Sequence, residues 1–226
     1  MNEKDIKLTM RLKESVGDPS VTGPILLDVK STQFVRVNML LLKALSNENG
    51  RSGMFISVDR PHQYMVHLLT MHQINVQGLI FVDAISQFSA DCKQAQANVS
   101  FVDGPFHIDD LPGAIKEWTI RANGGSIDLK DCAFAMIDNL AALLTYNSFS
   151  SVESFLHDFV NVLSMNGRIA IPLVVDKERN QPLYEMAKAI CKREVNVNET
   201  PTGLPDADME RRSRRISEVC FNGVSH

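Results

Sequence analysis

The sequence has few cysteines, and none of them are paired in a motif. Its 226 residues contain four, with no CxxC spacing among them. This pattern argues against a zinc site and against a disulfide framework, and it is typical of free thiols in a reducing compartment. We therefore expect a cytoplasmic protein. The four cysteines are Cys92, Cys132, Cys191 and Cys220.

Long apolar runs and an excess of positive charge are also absent. No apolar run reaches the ~20 residues that a membrane-spanning helix needs. The N-terminus is charged from the third residue on and has no apolar centre, so it predicts no signal peptide. The net charge is -4, from 23 basic and 27 acidic residues, which disfavours nucleic acid as a partner. No membrane partner is expected either.

The 44% of hydrophobic residues is enough to form a core, and it is arranged in short runs separated by helical patterns. Seven runs predict strands, and most are near-continuous, as expected for strands buried on both faces of a parallel sheet. The predicted strands are Ile25–Asp28, Met54–Val58, Leu79–Val82, Val99–Val102, Cys132–Ile137, Ile169–Val175 and Glu194–Val197.

Between these strands, apolar residues recur at helical spacing, most clearly from Val152 to Leu163. Ser150 followed by Glu153 has the spacing of a capping box, which predicts where that helix begins. Alternating strands and helices predict an α/β fold, with three α/β/α layers and a mainly parallel central sheet. We expect one such domain over residues 1–198, and a linker followed by a short basic amphipathic helix over residues 199–226.

Pro172 interrupts the run IAIPLVVD. Proline has no N–H to donate to a sheet ladder. Its strand is therefore predicted to be an edge strand, to start at that residue, or to be locally broken.

The turn after the first strand, DVKSTQFVRVN, has no glycine. A phosphate loop needs GxxxxGK[ST], because glycines let backbone N–H groups face the phosphates and the lysine reaches the outer ones. Val29 stands in the first-glycine region, and Lys30, Ser31 and Thr32 form a KST triplet too close to the strand. We interpret the segment as a plain βα connection, in which the apolar Phe34 and Val35 pack inward or block a phosphate.

Six predicted strands end at or next to an aspartate. Acids along one edge of a parallel sheet could bind a metal, or each could pair locally or with a helix N-terminus. We favour local pairing, because acids at βα turns need no ligand to be satisfied. These acids are Asp28, Asp59, Asp83, Asp103, Asp138 and Asp176.

Three stretches together carry a resemblance to a known family. They are GPILLDVKSTQFVRVNMLLLKAL, GMFISVDRPHQYMVHLL and CAFAMIDNLAALLTYNS, the last an apolar run that ends in Asp138 like a Walker B strand. Over about residues 23–197 the chain resembles the RecA/KaiC-like ATPase core. It is similar to archaeal KaiC-like proteins that keep this P-loop NTPase core and have lost the Walker A phosphate loop.

The resemblance implies a RecA-like fold, and the departures from the family bear on function. Where the family has a catalytic acidic pair, this chain has Asp59 and Arg60, and the phosphate-binding lysine has no equivalent. We therefore expect a pseudo-ATPase, a non-catalytic module with no cofactor and no catalytic residue. It would act through a protein partner or as a homo-oligomer, in a regulatory or scaffolding role.

Two alternatives remain open. The first is a nucleotide-binding protein or slow ATPase with an unorthodox loop, which would bind ATP with Mg. In that case binding would depend on Lys30, Ser31, Thr32, Asp59 and Asp138. The second is a small-molecule or nucleic-acid site, either on the acidic sheet edge or on the densest cationic cluster. That cluster is a candidate contact for an anion or a partner, or a solvated helix face. It consists of Arg211, Arg212, Arg214 and Arg215.

Overall fold

A computed structural model of the chain describes most of its residues. The ranges are 3–46, 52–86, 99–102, 108, 111–113, 132–165 and 168–198. The predicted C-terminal linker and helix, the arginine cluster and Asp103 lie outside the described residues. Within the described ranges, no helix is both long and apolar enough to span a bilayer.

The centre of the fold is a seven-stranded sheet in which every strand pair is parallel, in the order β4-β3-β2-β5-β6-β1-β7. All seven predicted strands are confirmed, to within two residues at each end. The strands are β1 Gly23–Asp28, β2 Ser52–Ser57, β3 Leu79–Asp83, β4 Val99–Phe101, β5 Cys132–Ile137, β6 Ala170–Val175 and β7 Arg193–Asn196.

In the described part of the chain, α-helices cover both faces of this sheet. One layer contains α1, α2 and α3, and the other contains α4 and α5. Consecutive residues of a strand point into different layers: Leu26 packs with α4 and α5, whereas Leu27 packs with the first layer. The predicted three-layer α/β architecture is therefore confirmed. The helices are α1 Glu3–Val16, α2 Phe34–Ser46, α3 His62–Met71, α4 Phe149–Met165 and α5 Gln181–Ile190.

The order of the strands creates two crevices at the carboxyl edge of the sheet. β2 leads through α3 towards one side, while its neighbour β5 leads through α4, on the other face, towards the opposite side. β1 and β6 are also neighbours, and they lead to α2 and α5 on opposite faces. Ligands of open α/β sheets bind where the connections of neighbouring strands separate in this way. The fold thus directs attention to the β2/β5 crevice and the β1/β6 crevice.

Pro172 lies in an interior strand, because β6 is flanked by β5 and β1. The predictions of an edge strand or a strand start at this residue were wrong. The backbone carbonyls of Ile169 and Val175 accept N–H groups from the β1 side. Successive residues of a strand direct their backbone hydrogen-bonding groups to opposite sides, so the backbone of Pro172 faces β5. Between β5 and β6, one residue pair is in register, Phe134 with Ala170. The predicted local break is confirmed, since proline cannot extend this ladder.

The prediction of a capping box at Ser150 and Glu153 was wrong, because the observed cap lies about half a helical turn earlier. Helix α4 begins at Phe149, and the hydroxyl of Ser148 accepts the N–H of Ser151 at 3.1 Å. Ser148 is therefore the residue that caps the helix, and Ser150 lies inside its first turn. Ser148, Ser150 and Ser151 lie within four residues, so the sequence pattern has more than one acceptable position for the cap.

Replacing Ser148 by alanine should remove this cap. We expect Ser148→Ala to lower the free energy of unfolding by about 1 kcal/mol, because the N–H of Ser151 loses its acceptor. The matched variant Ser150→Ala should change it little. Urea unfolding of both variants measures the difference, and equal losses would contradict the assignment of the cap.

Gly53 is required by close packing in the sheet. A Cβ there would lie 2.1 Å from Cζ of Phe134, a fully buried residue on the neighbouring strand. We expect Gly53→Ala to lower the free energy of unfolding by about 1–3 kcal/mol, the usual cost of overpacking. Gly113→Ala is the control, because a Cβ at Gly113 meets nothing within 4 Å. If both variants unfold at the wild-type urea concentration, this packing argument is wrong.

Candidate functional site at the carboxyl edge of the sheet

A single buried carboxylate fills the β2/β5 crevice. Asp138, which follows β5, accepts the N–H of Val58 on Oδ1 at 2.9 Å. Its Oδ2 accepts the N–H groups of Asp59 and Arg60, both at 3.2 Å. The three donors belong to the turn after β2, so Asp138 holds that turn against the end of β5.

Neighbouring polar groups complete this crevice. Asn38, a buried residue of α2, donates its Nδ2–H to the backbone carbonyl of Asp138 at 2.6 Å. The Asp59 side chain is partly exposed, and it accepts from Asn139 at 3.2 Å and pairs with Arg60 at 3.2 Å. The structure therefore brings Asp59 and Asp138 together, as two of the five candidate nucleotide ligands. Both oxygens of Asp138, however, are already used by backbone N–H groups.

The environment of Asp138 shifts its pKa. Burial raises the pKa of this carboxyl to about 7, although the N–H groups of Val58, Asp59 and Arg60 act to lower it. The nearby Asp59 carboxylate adds to the rise. The crevice thus contains a carboxyl that gains its charge close to neutral pH.

The β1/β6 crevice is closed by a reciprocal pair of carboxylates. Asp176, which follows β6, accepts the N–H of Ser31 on Oδ2 at 2.6 Å. Asp28, the last residue of β1, accepts the N–H of Lys177 on Oδ1 at 3.3 Å. Burial acts to raise the pKa of Asp176, but the N–H groups of Ser31 and Arg179 outweigh it, and the pKa is lowered. Asp176 is accordingly an anion at the start of the helical segment that leads into α2.

The turn after β1 is too short to surround a phosphate. Only Val29 and Lys30 separate β1 from the 3-10 turn Ser31–Gln33, which continues into α2. Val29 and Phe34 are buried in the core. The prediction of a plain βα connection is confirmed; of the two residues expected to fill it, Phe34 is buried, whereas Val35 is partly exposed.

The candidate residues of this turn follow a different strand from those of the β2/β5 crevice. Lys30 and Thr32 are exposed, and the backbone N–H of Lys30 donates to Asn198 at 3.1 Å. Lys30, Ser31 and Thr32 follow β1, whereas Asp59 and Asp138 follow β2 and β5, and strand β6 lies between β1 and β5. Helix α2 links the two crevices, because its Asn38 donates to the backbone carbonyl of Asp138.

A third buried carboxylate holds the start of α3. Asp83, at the end of β3, accepts the backbone N–H of His62 at 2.8 Å, and the His62 ring places Nδ1 2.5 Å from the same oxygen. Ser86 donates both its hydroxyl, at 2.6 Å, and its backbone N–H, at 2.8 Å. Burial acts to raise the pKa of Asp83, yet the hydrogen bonds from His62 and Ser86 lower it to about 2.

The histidines of this segment differ in burial: His62 is buried, whereas His67 and His72 are exposed. The pairing of His62 with Asp83 was missed. A histidine directly after Pro61, at the start of a helix, was the available signal, but its partner comes from a different strand.

Local pairing, the favoured interpretation of the strand-end acids, is confirmed for Asp28, Asp83, Asp138 and Asp176. Each accepts backbone N–H groups from a neighbouring turn or helix start. Among the residues that the structure describes, no three histidine, cysteine, aspartate or glutamate side chains are grouped to hold a metal ion. At this edge of the sheet, aspartate carboxyl groups thus accept the backbone N–H groups of neighbouring turns and helix starts.

The raised pKa of Asp138 makes the stability of the protein depend on pH. Since the folded-state pKa is about 7 and the usual value is 3.8, folding disfavours the charged form. The contribution of Asp138 to the free energy of unfolding is fully present below pH 3.8. It declines as the pH rises from 3.8 to about 7, and it is constant above that. We expect the wild type to be more stable than Asp138→Asn, with an advantage that shrinks over this interval.

Urea unfolding of the wild type and Asp138→Asn across this pH range measures the effect, since titrating groups that do not interact with Asp138 cancel in the difference. An amide at this position offers one acceptor oxygen, so the variant should be less stable throughout. An advantage that grows with pH would mean that the three N–H bonds outweigh burial, contrary to the assignment.

Comparison with known proteins gives no sequence family. No protein-family model matches the chain, and no curated protein sequence matches it. Solved structures, in contrast, do match.

Three archaeal structures resemble the chain over most of its length, each at 11% identity. An uncharacterised protein from Pyrococcus horikoshii, solved in complex with an unknown peptide, matches with a TM-score of 0.59 over 83% of this chain and 82% of its own. A KaiC-like protein from the same organism matches at 0.53, over 84% of both chains. The flagellar accessory protein FlaH from Methanocaldococcus jannaschii matches at 0.52, over 84% of this chain and 76% of its own. The chain therefore has an α/β fold with RecA/KaiC-like structural neighbours.

Proposed function

We propose that this protein is a non-catalytic RecA/KaiC-like module that acts through protein–protein contacts and does not hydrolyse ATP. The observation that carries the proposal is the 2.6 Å hydrogen bond from the N–H of Ser31 to the carboxylate of Asp176. In a nucleotide-binding protein of this fold class, backbone N–H groups after the first strand would face a phosphate. Here the chain supplies its own anion to that donor.

An internal carboxylate at this point opposes phosphate binding in two ways. The Asp176 carboxylate accepts the N–H of Ser31 and lies at the positive end of the helical segment, and a phosphate would need both. It also leaves negative charge at the turn, since the pKa of Asp176 is lowered and Asp28 lies at the end of the paired strand. A triphosphate would have to displace or approach these carboxylates, and each option is unfavourable.

The position that would hold magnesium is occupied in a comparable way. An acid after a Walker B-like strand must offer a free carboxylate oxygen, directly or through water. Both oxygens of Asp138 accept backbone N–H groups, and the side chain is buried. We therefore assign a structural role to Asp138. Without a magnesium ligand at this position, a major source of charge stabilisation for phosphoryl transfer is missing.

A role in protein contacts is consistent with the structural neighbours. The Pyrococcus horikoshii protein with the highest of the three TM-scores was solved with a peptide. That complex is a protein of similar fold with a peptide bound, and it supports a role in protein contacts. We propose a protein partner or a second copy of the chain as the binding partner, in a regulatory or scaffolding role.

The competing function is nucleotide binding by an unorthodox site. The exposed position of Lys30, beside Ser31 and Thr32, is what favours it. Such a site would need Asp176 to release Ser31, and it would bring a phosphate beside Lys30.

Thermal unfolding with millimolar Mg-ATP, Mg-ADP or Mg-GTP distinguishes the two functions. A ligand that binds only the native state at ~100 times its Kd adds about 2.7 kcal/mol to stability. We expect no change in Tm with any of the three nucleotides. A rise in Tm that Lys30→Ala abolishes, and that the control Lys192→Ala at the amino edge of the sheet keeps, would contradict the proposal and establish nucleotide binding.

A further inference from the structure

Two buried side chains at the carboxyl edge of the sheet have polar atoms without a partner. Asn38, on α2, is 2% exposed, and Ser57, the last residue of β2, is 0% exposed. Among the residues that the structure describes, neither Oδ1 of Asn38 nor Oγ of Ser57 forms a hydrogen bond. Buried oxygens of this kind cost free energy unless a donor or acceptor reaches them. Both atoms therefore need a hydrogen-bond partner.

The orientation of the Asn38 amide is fixed by its neighbour. Its Nδ2 donates to the backbone carbonyl of Asp138 at 2.6 Å. A carbonyl oxygen accepts and does not donate, so the NH₂ group has to face Asp138 and Oδ1 has to face another direction. Rotating the amide by half a turn would bring two acceptors into contact and leave the carbonyl without its donor. Oδ1 is thus held as a buried acceptor beside the end of β5.

Ser57 borders the same space from the neighbouring strand. Phe55 packs in the layer of α1, α2 and α3, and alternation along β2 turns Ser57 to that layer as well. The register of β2 with β5, extended by one residue, places Ser57 beside Asp138. Asn38 reaches Asp138 from α2, which lies over this face of the sheet. The hydroxyl and the amide oxygen therefore border one gap between α2 and the ends of two strands.

A single water molecule matches this gap in size and chemistry. Neighbouring strands lie about 4.8 Å apart, and two hydrogen bonds through one water span about 5.6 Å. The amide oxygen needs a donor, the hydroxyl either donates or accepts, and a water molecule supplies both functions. We propose that a buried water molecule binds here, donating to Oδ1 of Asn38 and bonded to the hydroxyl of Ser57. Two neutral oxygens suit water, whereas a cation takes about six oxygen ligands.

This water joins the first helical layer to the sheet. Asn38 belongs to α2, which follows the turn of the β1/β6 crevice, whereas Ser57 and Asp138 lie at the β2/β5 crevice. A water between them fixes the position of α2 relative to both crevices. The site is internal, so it does not depend on which nucleotide or protein partner binds at the surface.

A crystal structure of the full-length protein, at a resolution that shows ordered waters, tests the proposal directly. We expect one peak of density at about 2.7–3.2 Å from both Oδ1 of Asn38 and Oγ of Ser57. The inference is overturned by a gap without density, or by a direct hydrogen bond between the two side chains. A peak with about six oxygens at roughly 2.4 Å would also overturn it, because that geometry belongs to a cation.

A double-mutant cycle measures in solution whether the water couples the two side chains. Ser57→Ala and Asn38→Ala each remove one partner of the water, so their effects on the unfolding equilibrium constant should be non-additive, by about fivefold. Ser52→Ala is the control, because Ser52 lies at the other end of β2, about 16 Å away at ~3.3 Å per residue. Its effect should add to that of Asn38→Ala.

Additive effects of Ser57→Ala and Asn38→Ala, or equal coupling in both pairs, would contradict the proposal. The crystal structure uses the wild-type protein, so it decides the question even if Asn38→Ala does not fold.

Discussion

Backbone N–H groups at the carboxyl edge of a parallel sheet need acceptors, and in this protein aspartates from neighbouring strands supply them. The strands end together, and each then turns into a helix whose first N–H groups have no partner within the helix. Asp83 accepts the first N–H of α3, and Asp138 accepts three N–H groups of the turn that precedes this helix. Across the β1/β6 pair, Asp28 accepts the N–H of Lys177 and Asp176 accepts the N–H of Ser31. These bonds position the turns in which a ligand of this fold class would bind.

The same type of residue has opposite properties in two of these places. Hydrogen bonds from His62 and Ser86 outweigh the burial of Asp83 and lower its pKa to about 2. Burial dominates at Asp138, where the nearby Asp59 carboxylate adds to it, and the pKa rises to about 7. Asp83 therefore stabilises the fold above the ordinary pKa of an aspartate, whereas the contribution of Asp138 declines over the range up to neutral pH.

The sequence predicts the sheet well because buried parallel strands are short continuous apolar runs that need little context. Helix α1 was missed, since its buried positions Leu12 and Val16 are accompanied by exposed Ile6 and Met10, which obscure the apolar stripe. The aspartates were predicted correctly in kind, as acids paired locally or with helix starts. Their partners could not be predicted, because the donor to Asp138 lies 80 residues away and depends on the order of strands in the sheet.

The central claim is that the N–H of Ser31 is bound to the Asp176 carboxylate and is therefore unavailable to a phosphate. Its amide signal in a two-dimensional ¹H–¹⁵N NMR spectrum reports directly on that bond. We expect the Ser31 signal to move when the pH is lowered until Asp176 is protonated, and to stay in place when Mg-ATP is added at neutral pH. A saturable shift of the Ser31 signal with Mg-ATP would show that the donor is free to bind phosphate and would contradict the account.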